Sequence, residues 1–339
     1  MTPDVRADLP VTQRIEFSAT MKELLMAIDV GGTKIEAVAV DLTGQPLGQL
    51  VTNTDNSGPE GLLDSVEDAV HRVLAQSDAT TSDLAGVGLG VPGQVDPIGG
   101  VVRRAVNLNL SSFPLAMALA GRLRTPVDVE NDVRLAALGL YQQLRQEQNF
   151  ESLAYVSVGT GVAAGIVDDG RLLRGASGMA GEIGHVVFDP AGERCSCGLQ
   201  GCLETIVSGP AITRQATPFL HGDREEMTAG DVYAAAGEGN AQAQALVHRV
   251  SLYMARALHW LVMTYDVERV VVGGGVTAAG DAFWQPIADE LSQLRRRSAL
   301  AHDMLPQDKI TLLNGDENPA IWGAIGLAQQ AAGAVDPTF

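Results

Sequence analysis

A strand, a glycine turn and a second strand occur twice in these 339 residues, and that repetition narrows the fold more than any other feature. The first copy is the apolar run Leu24 to Val30, the turn Gly31-Gly32-Thr33-Lys34 and the run Ile35 to Val40, ending at Thr43-Gly44. The second is Leu153 to Val158, the tight loop Gly159-Thr160-Gly161 and Ala163 to Val167, ending at Asp168-Asp169-Gly170. Short apolar runs bounded by glycine turns read as β-hairpins. After the first hairpin, Gly61 to Gln76 has helical spacing and Val87 to Val91 is a strand closed by Pro92-Gly93. Val127-Asp128-Val129-Glu130-Asn131-Asp132 then leads from strand to a helix carrying Leu135, Ala136, Leu138 and Leu140. After the second hairpin come a helical stretch from about Asp231 to Tyr265, the strand Arg269 to Val272 capped by Gly273-Gly274-Gly275, and a last helix from about Pro319 to Gln330. The order strand-strand-helix-strand-helix, met twice around a long insertion, predicts an α/β chain of two related lobes with a cleft between them.

Charge narrows the partners. Lys+Arg of 23 against Asp+Glu of 41 gives a formal net charge of −18, which disfavours nucleic acid and acidic membrane surfaces and leaves small molecules. No apolar run approaches the roughly 20 residues of a membrane span. Residues 1–23 lack the order of a secretion signal and read as a flexible tail.

All three cysteines fall together as Cys195-x-Cys197-x4-Cys202, shortly after His185. With that histidine they make a complete tetrahedral zinc set, which shapes a loop and leaves no open position for water. Thiols reserved for metal predict a cytoplasmic compartment. His185 belongs to Glu182-Ile183-Gly184-His185, so metal and ligand can share one ring, each taking one nitrogen. Glu182 and Glu204 flank the segment, either as solvated acids or as a hydroxyl-recognition ring assembled by the folded loop.

Two further motifs leave alternatives open. Asp29-x-Gly31-Gly32-Thr33-Lys34 either connects strands or lets a phosphate approach backbone N–H groups, and it lacks the spacing of a Walker loop. In Glu130-Asn131-Asp132, Asn131 or Asp132 is a helix N-cap, or Asp132 is a general base at a strand's carboxyl end beside an Asn donor.

Taken in order, Asp29-x-Gly-Gly-Thr-Lys, Val91-Pro92-Gly93, Glu130-Asn131-Asp132, Gly159-Thr160-Gly161, Glu182-x-Gly-His185, the cysteine cluster and Gly273-Gly274-Gly275 resemble the ROK family of sugar kinases and sugar-responsive repressors. The resemblance spans about Leu24 to Gln330. It implies the actin-like, ribonuclease-H-like ATPase fold and a homodimer. It also implies a small lobe over 24–132 completed by a C-terminal helix over 319–333, and a large lobe over 133–318 with a zinc-binding insertion over 182–204. Carried over position by position, it makes Asp132 the base that takes the sugar hydroxyl proton. Gly93, Asn107, Asn131, Glu182, His185 and Glu204 become sugar contacts. Asp29 places Mg²⁺, and Gly31, Gly32, Thr33, Lys34, Thr160, Gly161, Gly273, Gly274 and Gly275 hold ATP. Zinc falls to His185, Cys195, Cys197 and Cys202.

Two departures from the family pattern border the sugar. Val106 to Phe113 keeps Asn107-Leu108 but lacks the preceding Pro and the following Gly-Trp. The helix after Asp132 begins Val133-Arg134 where many members carry a second Asn. The implied activity is an ATP-dependent glucokinase acting at the 6-hydroxyl, with an N-acetylmannosamine or other hexose-derivative kinase as the alternative and polyphosphate as a second phosphoryl donor for the family. A non-catalytic sugar-sensing regulator is the competing class. Its winged-helix domain needs several dozen residues before the first strand, and 28 residues precede Asp29, which weighs against it.

Overall fold

The computed structural model describes residues 23–220, 227–313 and 318–333. The expected N-terminal tail lies outside them apart from Glu23. Two five-stranded sheets built in the same order carry the fold. The first half of the chain gives β1 (Leu24–Val30), β2 (Lys34–Asp41), β3 (Pro46–Asn53), α1 (Pro59–Ala75), β4 (Leu84–Val91), β5 (Gln94–Asp96), β6 (Val101–Ala105), β7 (Leu110–Phe113), α2 (Leu115–Leu123), β8 (Val127–Asn131) and α3 (Asp132–Arg145). The second half gives β9 (Ser152–Val158), β10 (Val162–Asp168), β11 (Arg171–Leu172), α4 (Glu204–Val207), α5 (Gly209–Ala216), α6 (Ala229–Gly237), α7 (Ala241–Tyr265), β12 (Arg269–Gly273), α8 (Asp281–Arg297), α9 (Ala299–Met304), β13 (Ile310–Leu312) and α10 (Pro319–Ala331).

The N-terminal sheet runs β3-β2-β1-β4-β8 and the C-terminal sheet β11-β10-β9-β12-β13. In each, a hairpin of two antiparallel strands is followed by two strands parallel to the first. Both hairpins read from the sequence are therefore present. A small antiparallel sheet, β5-β6-β7, hangs beyond β4.

Period-two alternation along the central strands divides the core. On β1, Met26, Ile28 and Val30 join the cluster formed with α1 and α2, while Leu25 and Ala27 face the other way. On β9, Ala154, Val156 and Val158 pack under α7 and α8, and Leu153 and Tyr155 face back. Strands buried on both faces read as continuous apolar runs, which is why β1 and β9 are legible. The inward faces of the two sheets meet in one core with α3 and α10 between them. Helix α3 leaves β8 of the first sheet and packs on β9 and β10 of the second. Helix α10 follows β13 of the second sheet and packs on β1 and β4 of the first. Helix α10 thus runs from the second sheet back against the first. The two helices touch closely at Gly139 and Gly323: a methyl group at Gly323 would overlap the Leu135 carbonyl, and one at Gly139 the Pro319 carbonyl. Fully buried Leu135 and Ala324 line this seam, and a buried leucine contributes about 1.5–3 kcal/mol.

One expectation is corrected. The stretch from Asp231 to Tyr265 is two helices, α6 and α7, because Gly239 adopts φ 92° and Asn240 caps α7 by accepting from the Gln242 and Ala243 N–H groups at 3.0 and 3.1 Å. Among the described residues, no helix is long and apolar enough to cross a membrane.

Candidate active site

The carboxyl ends of β1, β4 and β8 lie side by side, where α/β sheets tend to bind ligands. Asp29 pairs in register with Gly90, and Gly90 with Glu130. Asp132 follows at the first turn of α3, where its Oδ1 accepts from the Val133 N–H at 2.9 Å and from Asn131 Nδ2 at 3.0 Å. Asn131 Oδ1 caps α3 through the Arg134 N–H at 3.1 Å, and its Nδ2 also donates to the Gly93 carbonyl at 3.1 Å.

Gly90 separates the two acids; a methyl group there would press on Leu135 Cδ1 at 3.1 Å and stand in ordinary contact with Asp29 Oδ1 and the Asp132 Cα. Burial, and then the neighbouring Asp29 charge, raise the Asp132 carboxyl from 3.8 to about 7, against the opposing pull of the Val133 N–H and Arg134. Burial also raises Asp29, with the Asn318 hydrogen bond opposing it and the Glu36 charge adding to it. From the other sheet, Tyr155 on β9 feels both acids. Burial pushes its hydroxyl up to about 12, Ser157 opposes, and the Asp132 and Asp29 charges add to the rise.

The first glycine loop folds on itself, Gly31 N–H donating to the Lys34 carbonyl at 2.8 Å, with Thr54 Oγ1 on the Gly31 carbonyl at 2.8 Å. Thr33 and Lys34 are exposed beside it, and the Asn107 side chain packs against Gly32. Across the cleft, the Gly159 N–H donates to the Gly161 carbonyl at 2.9 Å, so the Gly31 and Gly159 donors are committed within their own turns. Because β9 and β12 are parallel neighbours, with Ser157 opposite Gly273, the loop Gly159-Thr160-Gly161 lies beside Gly273-Gly274-Gly275. Gly274, at φ 99°, rests on the Val158 backbone, a conformation and a distance that exclude a side chain. Gly159, Thr160 and Gly275 open into a cavity of about 720 Å³, bordered also by Gly209, Thr228 and Val276.

The cysteine segment folds back on itself through a Val187 to Cys202 bridge. Cys195 Sγ lies 3.5 Å from His185 Nδ1, and Cys197 Sγ 3.6 Å from Cys202 Sγ. All four ligand atoms fall within 4.8 Å of one another. A tetrahedral zinc with bonds of about 2.3 Å to sulfur and 2.0–2.1 Å to nitrogen has N–S edges near 3.6 Å and S–S edges near 3.8 Å, so the donor set fits the ion. Nδ1 is the nitrogen turned to the thiols, which leaves Nε2 for another partner. The fold-back also sets Glu204 at the start of α4, where its Oε2 accepts from the Val162 N–H at 3.0 Å, tying the cysteine loop to the end of the second glycine loop. Burial raises the Glu182 carboxyl; His185 and Arg134 oppose this and the Glu204 charge adds to it. The folded loop therefore brings Glu182, Glu204 and His185 into one neighbourhood.

Four contributors went unread in the sequence. Asn318 donates to Asp29 and Glu36, and Arg134 and Arg174 both bind Glu130. The pair Asn318-Pro319 carries an N-cap signature that marks the start of α10, though not its partner. Glu36 stands opposite Asp29 in the first hairpin and Arg134 lies four residues after Glu130, but nothing in sequence spacing places Arg174.

The chain matches the model of the ROK family over residues 25–331. It is 35% identical over 276 residues to a glucokinase of Halalkalibacterium halodurans, covering 77% of this chain and 83% of that protein. It is equally 35% identical over 257 residues to an N-acetylmannosamine kinase of Shigella flexneri, covering 75% and 84%. Among solved structures, a ROK family glucokinase from Streptomyces griseus in complex with glucose and AMPPNP superimposes with a TM-score of 0.73 at 29% identity, covering 91% of this chain and 99% of that one. The duplicated sheets with crossed helices are the actin-like ATPase fold of such kinases.

Proposed function

The chain belongs to the ROK family and is a sugar kinase of it, and from that premise we propose that it is an ATP-dependent glucokinase that phosphorylates the 6-hydroxyl with Asp132 as general base. The observation that carries this reading is the Asp132 carboxyl, held at a helix start by the Val133 N–H and raised to about 7. A general base works best near the pH of its surroundings, and burial beside Asp29 gives this one that property.

In this reading the sugar hydroxyl attacks the γ-phosphorus as its proton passes to Asp132, and ADP leaves with the electron pair of the broken P–O bond. Phosphoryl transfer asks mainly for positioning and charge neutralisation. Thr33 and Lys34 of the first glycine loop and Thr160 of the second receive the phosphates in this reading, and the cavity beside Gly275 receives the nucleoside. Asp29 is the carboxylate that would hold the hydration shell of a nucleotide-bound magnesium, which would supply charge neutralisation to the transferred group. Glu182, Glu204, His185 Nε2 and Asn107 orient the sugar. Carboxylate acceptors suit a neutral polyol, since a missing hydroxyl leaves a buried acceptor unpaired. His185, Cys195, Cys197 and Cys202 would hold a structural zinc that keeps the histidine and Glu204 in place. Closure of the lobes excludes water that would otherwise accept the phosphate.

The glucose assignment is supported by likeness to glucokinases in both sequence and fold, and the N-acetylmannosamine reading by an equal identity over a slightly shorter span. Coupled ADP release with Mg-ATP against glucose, mannose, fructose, N-acetylglucosamine and N-acetylmannosamine separates them. Highest kcat/KM on glucose is expected. A higher value on N-acetylmannosamine replaces the substrate, and silence on every sugar overturns the kinase reading.

A further inference from the structure

Glu130 is fully buried at the end of β8 and is held between two arginines. Its Oε1 accepts from Arg134 Nε at 2.7 Å and from the Asn131 N–H at 2.8 Å, and its Oε2 accepts from Arg174 Nε at 2.7 Å. Arg134, also buried, continues to the Gly178 carbonyl with Nη1 at 2.7 Å. Glu130 and Arg134 belong to the junction of β8 and α3, which carries Asp132. Arg174 and Gly178 belong to the segment after β11 that leads to Glu182. Two of these bonds therefore join the β8–α3 junction to the segment after β11. The same segment meets the small sheet at Val95, where Gly178 leaves no room for a side chain, and at Gln94, whose Nε2 contacts Met179 Sδ at 3.0 Å. Displacement of the segment would leave a buried carboxylate and a buried guanidinium short of partners, which is costly in a low-dielectric interior. The position of residues 174–182 is thus strongly specified, and it is specified from the Asp132 side.

We propose that Glu130, Arg134 and Arg174 form a buried charged clasp that fixes the 174–182 segment against the start of α3, making Arg174 a positioning residue for sugar recognition that does not itself touch the sugar. The proposal rests on the sugar-kinase reading for its kinetic consequence, but its structural content stands apart from it. Arg174 is the variant to test, because it is partly exposed at 27% and its loss does not empty the core. Arg174→Gln is expected to raise the sugar KM about tenfold, within the usual 5–150-fold span of coupling between sites, while the ATP KM stays within about twofold. Arg174→Lys should recover part of the sugar affinity. Amide hydrogen exchange over 175–182 should accelerate in Arg174→Gln without acceleration in α7 or β1. In a Glu130→Gln background the Arg174→Gln change should have a smaller effect on both readouts, since the partner charge is already gone. Unchanged sugar KM with unchanged exchange overturns the clasp, as does an equal effect with and without the Glu130 charge. If wild-type protein turns over no sugar, the kinase reading falls while hydrogen exchange still decides the clasp.

Discussion

Asn318 Nδ2 donates to Asp29 Oδ2 at 2.7 Å, joining residues 289 positions apart in the chain. The same nitrogen donates to Glu36 Oε2 at 3.0 Å, and Asn318 Oδ1 caps α10 through the Ala320 N–H at 3.0 Å. One side chain therefore fastens the start of α10 to the end of β1 and supplies a shared donor to two acids that would otherwise only repel. Because α10 also packs on β1 and β4, the seat of the helix and the orientation of Asp29 are set together.

Replacing Asn318 separates these two roles. Asn318→Ala loses the cap, worth about 1 kcal/mol, and also the donor to Asp29. Asn318→Ser keeps a capping oxygen but loses the amide donor. The melting temperature should fall in the first and be largely retained in the second, while the Mg-ATP KM rises in both. Loss of the donor also raises the Asp29 carboxyl further, since the Asn318 bond is what opposes burial there. A Mg-ATP KM unchanged in Asn318→Ser would confine the residue to capping.

Asp132→Asn is expected to lower kcat by about 10²–10⁴, the range for loss of a general base, with sugar affinity within a few-fold of wild type. Its stability should move the other way. The Asp132 carboxyl is raised from 3.8 to about 7 on folding, so between those values the folded chain holds a proton that the unfolded chain has released. Stability from that proton is full below about pH 4 and is lost as pH rises towards 7. The asparagine variant has no such loss, so its melting temperature should exceed that of wild type by a margin that opens above about pH 4 and levels off above about pH 7. Parallel melting curves from pH 4 to 8 would show that the carboxyl carries no raised pKa.

How far the site could be read in advance follows from the range of each interaction. Both hairpins were legible because their strands are continuous apolar runs closed by glycine turns, a purely local signal. The cluster of His185 with the three cysteines was legible because three of its four members share one loop. The short strands β5, β6 and β7 were not, since exposed Arg103, Arg104, Ser111 and Ser112 dilute their alternation. The break between α6 and α7 was missed because Glu238-Gly239-Asn240 interrupts the helical period too briefly to register. Asn318 and Arg174 act across the fold, and no spacing rule links them to Asp29 or Glu130, whereas Glu36 is simply the cross-strand partner of Asp29 in the first hairpin.

The α3–α10 crossing makes a prediction about volume. A methyl group at Gly323 would overlap the Leu135 carbonyl, which belongs to helix backbone and has no rotamer by which to yield. Gly323→Ala should therefore destabilise the protein by about 1–3 kcal/mol or more, despite the better helix propensity of alanine. Gly121, which has open space around its missing side chain, is the internal control: Gly121→Ala in α2 should be neutral or stabilising. Equal melting temperatures for the two variants would mean that the helices can part at the seam without cost.

Removing one metal ligand tests whether the cysteine loop supports sugar binding. Cys197 is exposed, so Cys197→Ser disturbs packing less than changes at buried Cys195 or Cys202. Zinc content should fall from about one per chain towards none, because a three-ligand remnant of a closed site holds the ion weakly. Release of His185 Nδ1 frees the ring to rotate, and the fold-back that sets Glu204 against the Val162 N–H loosens with it. The sugar KM should rise several-fold more than the ATP KM, and prolonged chelation of wild-type protein should reproduce the pattern. A variant that has lost its zinc yet keeps wild-type sugar KM would separate the metal from recognition and leave it a purely local staple.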